Sequence, residues 1–366
     1  MNRRDFIYAA SAGAASATVP AMTVAQADRP GNTDTQPAAS KLKTITLEEH
    51  FATPAWLAGP GREFVERLRN AGGPWGAKIM RQLQDVGEGR IAEMDAAGID
   101  FQVLSLNSPG VEQADAVEQV AIARDSNDFL VDVVKKNPKR FAAFAALPVA
   151  VPEKAADELE RRVRQQGFKG TMINGHSRGR YLDDKFFWPI LERAQALNVP
   201  IYLHPTVPVK AVADVLYGGF SPSVSAMFAA AGWGWHIETG VHLIRMILGG
   251  VFDQYPKLQV VVGHLGEGIP FMLERLNRNM PARMTRLERP LAAYLRQNVH
   301  YTFAGFNFTA TFLDLLLEVG GERIMFSCDH PYASMTEGRA FLDHIPVSTA
   351  DRTRIAHGNA ERLFKL

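Results

Sequence analysis

Glu48 and His50 close the apolar run Thr44–His50 (TITLEEH). Three further residues of metal-ligand type end similar runs: His204 in Pro200–His204 (PIYLH), His264 in Gln259–His264 (QVVVGH) and Asp329 in Arg323–Asp329 (RIMFSCD). Imidazole nitrogens and carboxylate oxygens are the donors of a divalent metal site, and two imidazoles with two carboxylates suit zinc, manganese or iron. Each residue alone has a bland reading. A histidine at a strand end is commonly a satisfied structural residue, Glu48 beside Glu49 could be an exposed turn, and Asp329 could cap a helix. The coincidence of all five at the ends of apolar runs points to one site. In an extended strand, residues i and i+2 project to one face, so Glu48 and His50 reach the same ion while Glu49 turns away. The single cysteine, Cys328, excludes a Cys-rich zinc site and an intrachain disulfide. It reads as a small buried residue rather than a nucleophile.

Something must bring residues so far apart in the chain together. Besides the runs above, Phe101–Leu106, Phe141–Leu147, Gly170–Asn174 and Asn298–Phe303 are short and apolar, which makes eight candidate strands. Helical patterns alternate with them, as in Glu153–Gln166, where Ala156, Leu159 and Val163 share a face, and in Gln113–Lys136 and Phe271–Met280. Strand–helix alternation repeated eight times predicts an α/β fold, a (β/α)8 TIM barrel, over residues 44–366. A doubly wound open sheet is the alternative, but no Gly-rich dinucleotide fingerprint follows the first strand. In a barrel all strand C-termini open onto one face, and the five polar residues would meet there. The 366 residues, 46% of them hydrophobic and 22% charged, are enough for a large core, and a formal charge of +1 gives no case for nucleic acid.

The N-terminus predicts an address. Arg3-Arg4 precede a stretch, residues 7–24, without charge and rich in Ala, Ser, Gly and Thr, and Ala25-Gln26-Ala27 forms a small-x-small cleavage site. Residues 1–27 are therefore expected to be a twin-arginine signal peptide and the product periplasmic. Pro20 and the hydroxyl-rich composition argue against this segment being a membrane anchor, and no stable span is expected after processing. Residues 28–43 (DRPGNTDTQPAASKLK) are expected to be a disordered linker.

The chain resembles the amidohydrolase superfamily, in its branch of metal-dependent decarboxylases, and is similar to 2,3-dihydroxybenzoate and γ-resorcylate decarboxylases and more distantly to aminocarboxymuconate semialdehyde decarboxylase. The resemblance is carried by LEEHF (Leu47–Phe51), RIAEMDAAGID (Arg90–Asp100), NGHSRGRYLDD (Asn174–Asp184) and VPIYLHP (Val199–Pro205). It continues through GVFDQYPKLQVVVGHLGEGIPFMLERL (Gly250–Leu276), FSCDHP (Phe326–Pro331) and GNAERLF (Gly358–Phe364). It implies one divalent ion, zinc or manganese, on Glu48, His50, His204 and Asp329. It implies a catalytic His264–Glu267 pair with Asp329, and substrate contacts from Asn174, Arg275 and His330. Glu-x-His in place of the commoner His-x-His narrows the branch to aromatic-acid decarboxylases. Two features depart from it: YTFAGFNF (Tyr301–Phe308) at the seventh strand, and His330, where an aromatic is common.

The expected function is therefore metal-dependent, non-oxidative decarboxylation of a hydroxylated aromatic or related unsaturated acid. The alternative is hydrolysis of a lactone, ester or amide at the same metal. A binding protein without catalysis is a third reading, opposed by the presence of every expected polar residue. The resemblance also implies a homodimer or homotetramer. The long apolar and Gly-rich segment Thr206–Trp235 suits a lid or a subunit contact, and Arg275 could lie at the pocket edge or between subunits. Three histidines remain open: His176 in the loop after Asn174, and His236 and His242, which with Glu238 open a predicted helix. His236 could line the pocket, but a position in the first helical turn predicts partial exposure.

Overall fold

The computed structural model of the chain describes residues 42–71 and 73–366. The expected signal peptide lies outside the described residues, as does the expected linker except for Leu42 and Lys43. Those two belong to the barrel unit: Leu42 packs against the core, and Lys43 Nζ bonds the Glu361 carboxylate at 2.7 Å.

All eight strands are present: β1 (Ile45–Phe51), β2 (Phe101–Leu106), β3 (Phe141–Ala143), β4 (Thr171–Asn174), β5 (Ile201–His204), β6 (Val260–Val262), β7 (Val299–Thr302) and β8 (Ile324–Met325). Parallel ladders run β1-β2-β3 and β4-β5-β6-β7-β8. Single bridges join the two sets into a closed barrel. Ala145 pairs with Thr171 beyond the end of β3, and Glu49 pairs with His330 beyond β8, where His50 N–H donates to His330 O at 2.8 Å. Closure leaves no free sheet edge, which is what eight parallel strands with covering helices require. The helices form for ordinary reasons. The helix Ala116–Lys136 starts at Asp115, whose carboxylate accepts from the N–H groups of Val117 and Glu118. The helix Pro152–Gln166 opens on proline, buries Ala155, Ala156 and Leu159, and ends at Gly167 in the left-handed region.

The barrel interior is apolar at its lower end. Ile45, Leu47, Val103, Ala142, Phe144, Met172, Tyr202, Val261 and Met325 form one buried cluster, with Ala360 and Phe364 of the helix Asn359–Phe364 as its floor. Between Thr46 and Glu49 the β1–β2 register slips by one residue, a β-bulge. Leu47 and Glu48 together stand opposite Val103, so β1 contributes both an interior apolar residue and, one position on, a carboxylate on the inner face.

Four strands end earlier than the apolar runs predict: β3 at Ala143 and β7 at Thr302, and two that bear on the site. β6 stops at Val262 and β8 at Met325, so His264 and Asp329 lie past the strand ends. Both have φ in the left-handed region (49° and 63°), which breaks the ladder. Thr206–Trp235 is not a plain loop. It carries the helices Lys210–Tyr217 and Pro222–Ala229, with Val215, Leu216, Phe220, Met227 and Trp233 exposed. No helix among the described residues is long and apolar enough to cross a membrane.

Candidate active site

At the carboxyl ends of the strands, Glu48, His50, His204 and Asp329 each bring one donor atom within 4.8 Å of the others. Each is held so that one particular atom is free. Tyr202 O–H, two residues before His204 on the same face of β5, donates to Glu48 Oε2 and also bonds Thr302 Oγ1 at 2.6 Å. Glu48 Oε1 is left 3.2 Å from His204 Nε2. His204 Nδ1 faces Pro205 O at 2.9 Å. A carbonyl only accepts, so Nδ1 carries the hydrogen and Nε2 presents its lone pair. His50 Nδ1 meets Ser105 Oγ at 3.3 Å, while its Nε2 stands 3.2 Å from Asp329 Oδ1. Glu48 Oε1 and His50 Nε2 are buried without a hydrogen-bond partner, a costly arrangement that a cation would relieve.

The charges fit the same cation. Burial alone would push the Glu48 carboxyl up, but the imidazoles of His264, His204 and His50 hold it at about 2. Burial and the neighbouring His204 push His50 down to about 3, which keeps its ring neutral and its lone pair available. Asp329 is raised well above the usual carboxylate range by burial and by the facing charge of Glu48. Two ionised carboxylates with two neutral imidazoles would offset a divalent ion, so the donor set fits zinc or manganese.

Beside these donors lies the pair His264–Glu267. The chain from His264 to Glu267 holds three non-glycine residues, His264, Leu265 and Glu267, in the left-handed region (φ 49°, 53° and 55°), strain of the kind that collects at functional sites. Gly263 enters this turn where a Cβ would sit 2.5 Å from Glu48 Oε2. His264 Nδ1 bonds Glu267 Oε1 at 2.7 Å, and its Nε2 faces Glu48 Oε1 at 3.7 Å. Burial would lower the His264 pKa, but the Glu267 and Glu48 carboxylates raise it to about 10 while Glu48 carries no cation; a cation on Glu48 offsets that charge and returns the ring toward its neutral form. The Phe306 ring, from the unusual seventh-strand segment, packs 5.1 Å from that of His264.

The other expected residues divide. Asn174 lies on the inner face at the end of β4, in register with His204. Its N–H donates to Glu112 Oε1 at 2.8 Å, and its Oδ1 is unpartnered. Arg275 is exposed on the helix Ile269–Asn279 and is not among the groups brought together. His330 departs from its expected substrate contact. With Asp329 turned inward, the next side chain falls behind β1, where the His330 ring faces Glu93 at 3.8 Å. Burial and Arg90 press its pKa to about 2. His330 serves the barrel seam through its backbone. Glu49 turns away from the donors as expected and accepts from the N–H groups of Cys328 and His330. Cys328 is buried. His176 Nδ1 accepts from Gly179 N–H and His242 Nε2 from Leu182 N–H, which are structural roles.

His236 corrects the expectation of partial exposure. It is buried, and its Nδ1 lies 2.7 Å from Glu267 Oε2. Tyr202, Thr302 and Ser105 were not singled out from the sequence. The i, i+2 spacing of Tyr202 and His204 was the available signal for Tyr202, whereas Ser105 and Thr302 depend on register between strands.

A family model described as Amidohydrolase matches residues 50–366. A γ-resorcylate decarboxylase from Polaromonas sp. (strain JS666) is 38% identical over 338 residues, covering 88% of this chain and 98% of the relative. The crystal structure of 2,6-dihydroxybenzoate decarboxylase from Rhizobium superposes with a TM-score of 0.80 at 34% identity, covering 88% of this chain and 98% of that one. That of 5-carboxyvanillate decarboxylase from Novosphingobium aromaticivorans, complexed with manganese and 4-hydroxy-3-methoxy-5-nitrobenzoic acid, gives 0.81 at 34% identity, with 88% and 96% covered.

Proposed function

The chain belongs to the amidohydrolase family, and from that premise we infer that it is a metal-dependent, non-oxidative decarboxylase of a hydroxylated aromatic acid. The relatives at about a third identity over nearly their whole length are decarboxylases of such acids. The observation that carries the reading within the site is Glu48. A carboxylate takes the first ligand position, and the set of two carboxylates and two imidazoles neutralises a divalent ion without strongly acidifying water. Held by Glu48, His50, His204 and Asp329, zinc or manganese would supply an electrophilic template for the substrate carboxylate and its neighbouring hydroxyl oxygen.

The chain's own groups account for the proton. Decarboxylation needs a proton on the ring carbon that bears the carboxylate. The carbon–carboxylate bond then breaks, its electron pair restores the aromatic ring, and CO2 leaves. His264 keeps Nδ1–H on Glu267, so Nε2 is the end that delivers or takes a proton at the pocket. Asp329 faces the same space and is the second group placed to relay a proton. Either can supply the ring carbon, and neither oxygen nor an organic cofactor enters. Asn174, with its unpartnered Oδ1 beside His204, is placed to meet a substrate hydroxyl.

The test is turnover in deuterium oxide with 2,3- and 2,6-dihydroxybenzoate. Deuterium should appear at the carbon that carried the carboxylate. If no such acid loses CO2 while esters or lactones turn over with the metal, a hydrolase replaces this reading.

Two wider proposals accompany it. Residues 1–27 direct the chain to the periplasm by the twin-arginine route, supported by Arg3-Arg4, the uncharged stretch after them and Ala25-Gln26-Ala27. The chain assembles as a homodimer or homotetramer, supported by the apolar side chains exposed along Thr206–Trp235.

A further inference from the structure

His236 is the pocket residue that the reaction above leaves without a task. It lies in the first turn of the helix Gly234–Leu248, which reaches the site from the segment after β5. That helix presses against the catalytic turn: a Cβ on Gly240 would sit 3.0 Å from Glu267 O. The Glu267 carboxylate is bound on both sides. His264 Nδ1 holds Oε1 at 2.7 Å, and His236 Nδ1 holds Oε2 at 2.7 Å. The Glu267 pKa is lowered, because the imidazoles and their hydrogen bonds outweigh burial, so the carboxylate is ionised and can only accept. Both Nδ1 atoms therefore carry hydrogen. The far nitrogen of His236 lies 3.1 Å from Trp235 Nε1, a donor, and 3.1 Å from Ala231 O, an acceptor. Whichever of them it engages, Nδ1–H remains on Glu267. The two imidazole rings are 4.6 Å apart, and Phe306 packs against both, at 5.0 Å and 5.1 Å.

Glu267 sits in the left-handed region at the end of a strained turn, and its two carboxylate oxygens are held by the two imidazoles. With one oxygen unheld, the buried carboxylate could rotate away from His264, whose proton could then move from Nδ1 to Nε2. We propose that His236 is a positioning residue for the decarboxylation inferred above, on which this inference rests: by occupying Glu267 Oε2 it keeps Oε1 on His264 Nδ1–H and fixes the tautomer whose Nε2 faces the pocket. The same three residues also have the composition of a second metal site. Their N···O separations of 2.7 Å are those of hydrogen bonds, however, and the hydrogens on both Nδ1 atoms occupy the lone pairs an ion would need.

Three variants separate this role from simple space filling. His236→Ala removes the N–H and leaves a gap, His236→Phe fills the gap without an N–H, and His236→Asn returns an amide N–H near the Nδ1 position. With a dihydroxybenzoate that the wild type decarboxylates, kcat should fall ~10- to 100-fold in the Ala and Phe variants with KM little changed. The Asn variant should recover most of that loss. Nitrogen-15 spectra of the zinc-loaded, histidine-labelled protein should show His264 as a single Nδ1–H tautomer in the wild type and the Asn variant. The Ala and Phe variants should show mixed tautomers. The proposal is overturned if Ala and Phe keep the wild-type tautomer and kcat, if Asn is as impaired as Phe, or if the protein binds a second ion that His236→Ala removes. If the wild type decarboxylates no aromatic acid, the functional reading fails by itself, and the spectra still decide whether His236 orients His264.

Discussion

A neutral imidazole has one hydrogen and one lone pair, and its neighbours decide which nitrogen holds which. Pro205 O fixes this for His204, Ser105 sits on the far nitrogen of His50, and Tyr202 takes one oxygen of Glu48, so each group turns its remaining lone pair toward a common point. Purified protein should therefore hold about one divalent ion per chain by elemental analysis, the number a four-donor site accepts. His204→Ala or Asp329→Asn should lower occupancy and abolish turnover. Full activity in the chelated wild type would refute the metal's role. A second residue-scale expectation concerns Glu112, buried beneath Asn174, whose carboxyl burial raises to about 7. Its folded pKa lies above that of the unfolded chain, so between the ordinary carboxylate range and pH 7 the folded state keeps a proton that the unfolded state has lost. Stability contributed by this group is full at low pH, falls as pH rises to about 7 and is then level, a loss of a few kcal/mol at most. Denaturant titrations at pH 5 and pH 8 should show a smaller drop in Glu112→Gln than in the wild type. An equal drop in both would remove Glu112 as a source.

At the level of elements, the barrel separates its working end from its supporting end. Donors emerge where the strands stop, while the helix Asn359–Phe364 plugs the opposite opening with Phe364, packed 5.5 Å from Phe144. Phe364→Ala should cost ~3–5 kcal/mol in denaturant unfolding, with metal content and kcat of the surviving folded protein unchanged. A selective loss of metal would show that the two ends are coupled. This division explains what the sequence could reveal. The eight strands were legible because each is a short apolar run buried on both faces, and the donors were legible because each follows such a run. The strand ends were not, because the left-handed turns at His264 and Asp329 are set by the site they build rather than by local pattern. The bulge at Leu47-Glu48 was invisible for a related reason: it exists only in the pairing of β1 with β2. His236 was misjudged because a first helical turn is usually half exposed. Here the turn is pressed onto Glu267 across Gly240, a tertiary contact without a sequence period. His330 was expected at the substrate, but its ring faces Glu93, a placement that follows from the left-handed turn at Asp329 rather than from any local pattern.

At the scale of the whole molecule, the site must be complete before the protein can work. Its donors come from β1, β5 and the turn after β8, and the ring they belong to is closed by two single bridges, Ala145 with Thr171 and Glu49 with His330. An unfolded chain holds no such constellation, so metal affinity and folding are coupled. A chain exported unfolded would have to find its ion and close its barrel outside the cytoplasm, where ion supply is not under the cell's control. A route that carries folded cargo would remove that difficulty, and under the export proposed above the guanidinium pair Arg3-Arg4 would be the address it reads. Lysine keeps the charge but loses the planar, five-donor fork, so replacing both arginines changes the recognition and not the electrostatics. The Arg3→Lys, Arg4→Lys double variant should therefore accumulate in the cytoplasm as a full-length precursor, folded and metal-loaded, while the unaltered chain appears in the periplasm shortened by residues 1–27. Fractionation, intact mass and metal content read the outcome together. Periplasmic delivery of the double-lysine variant at the normal rate would defeat the twin-arginine assignment. Delivery of the unaltered chain without metal would defeat the argument for exporting it folded.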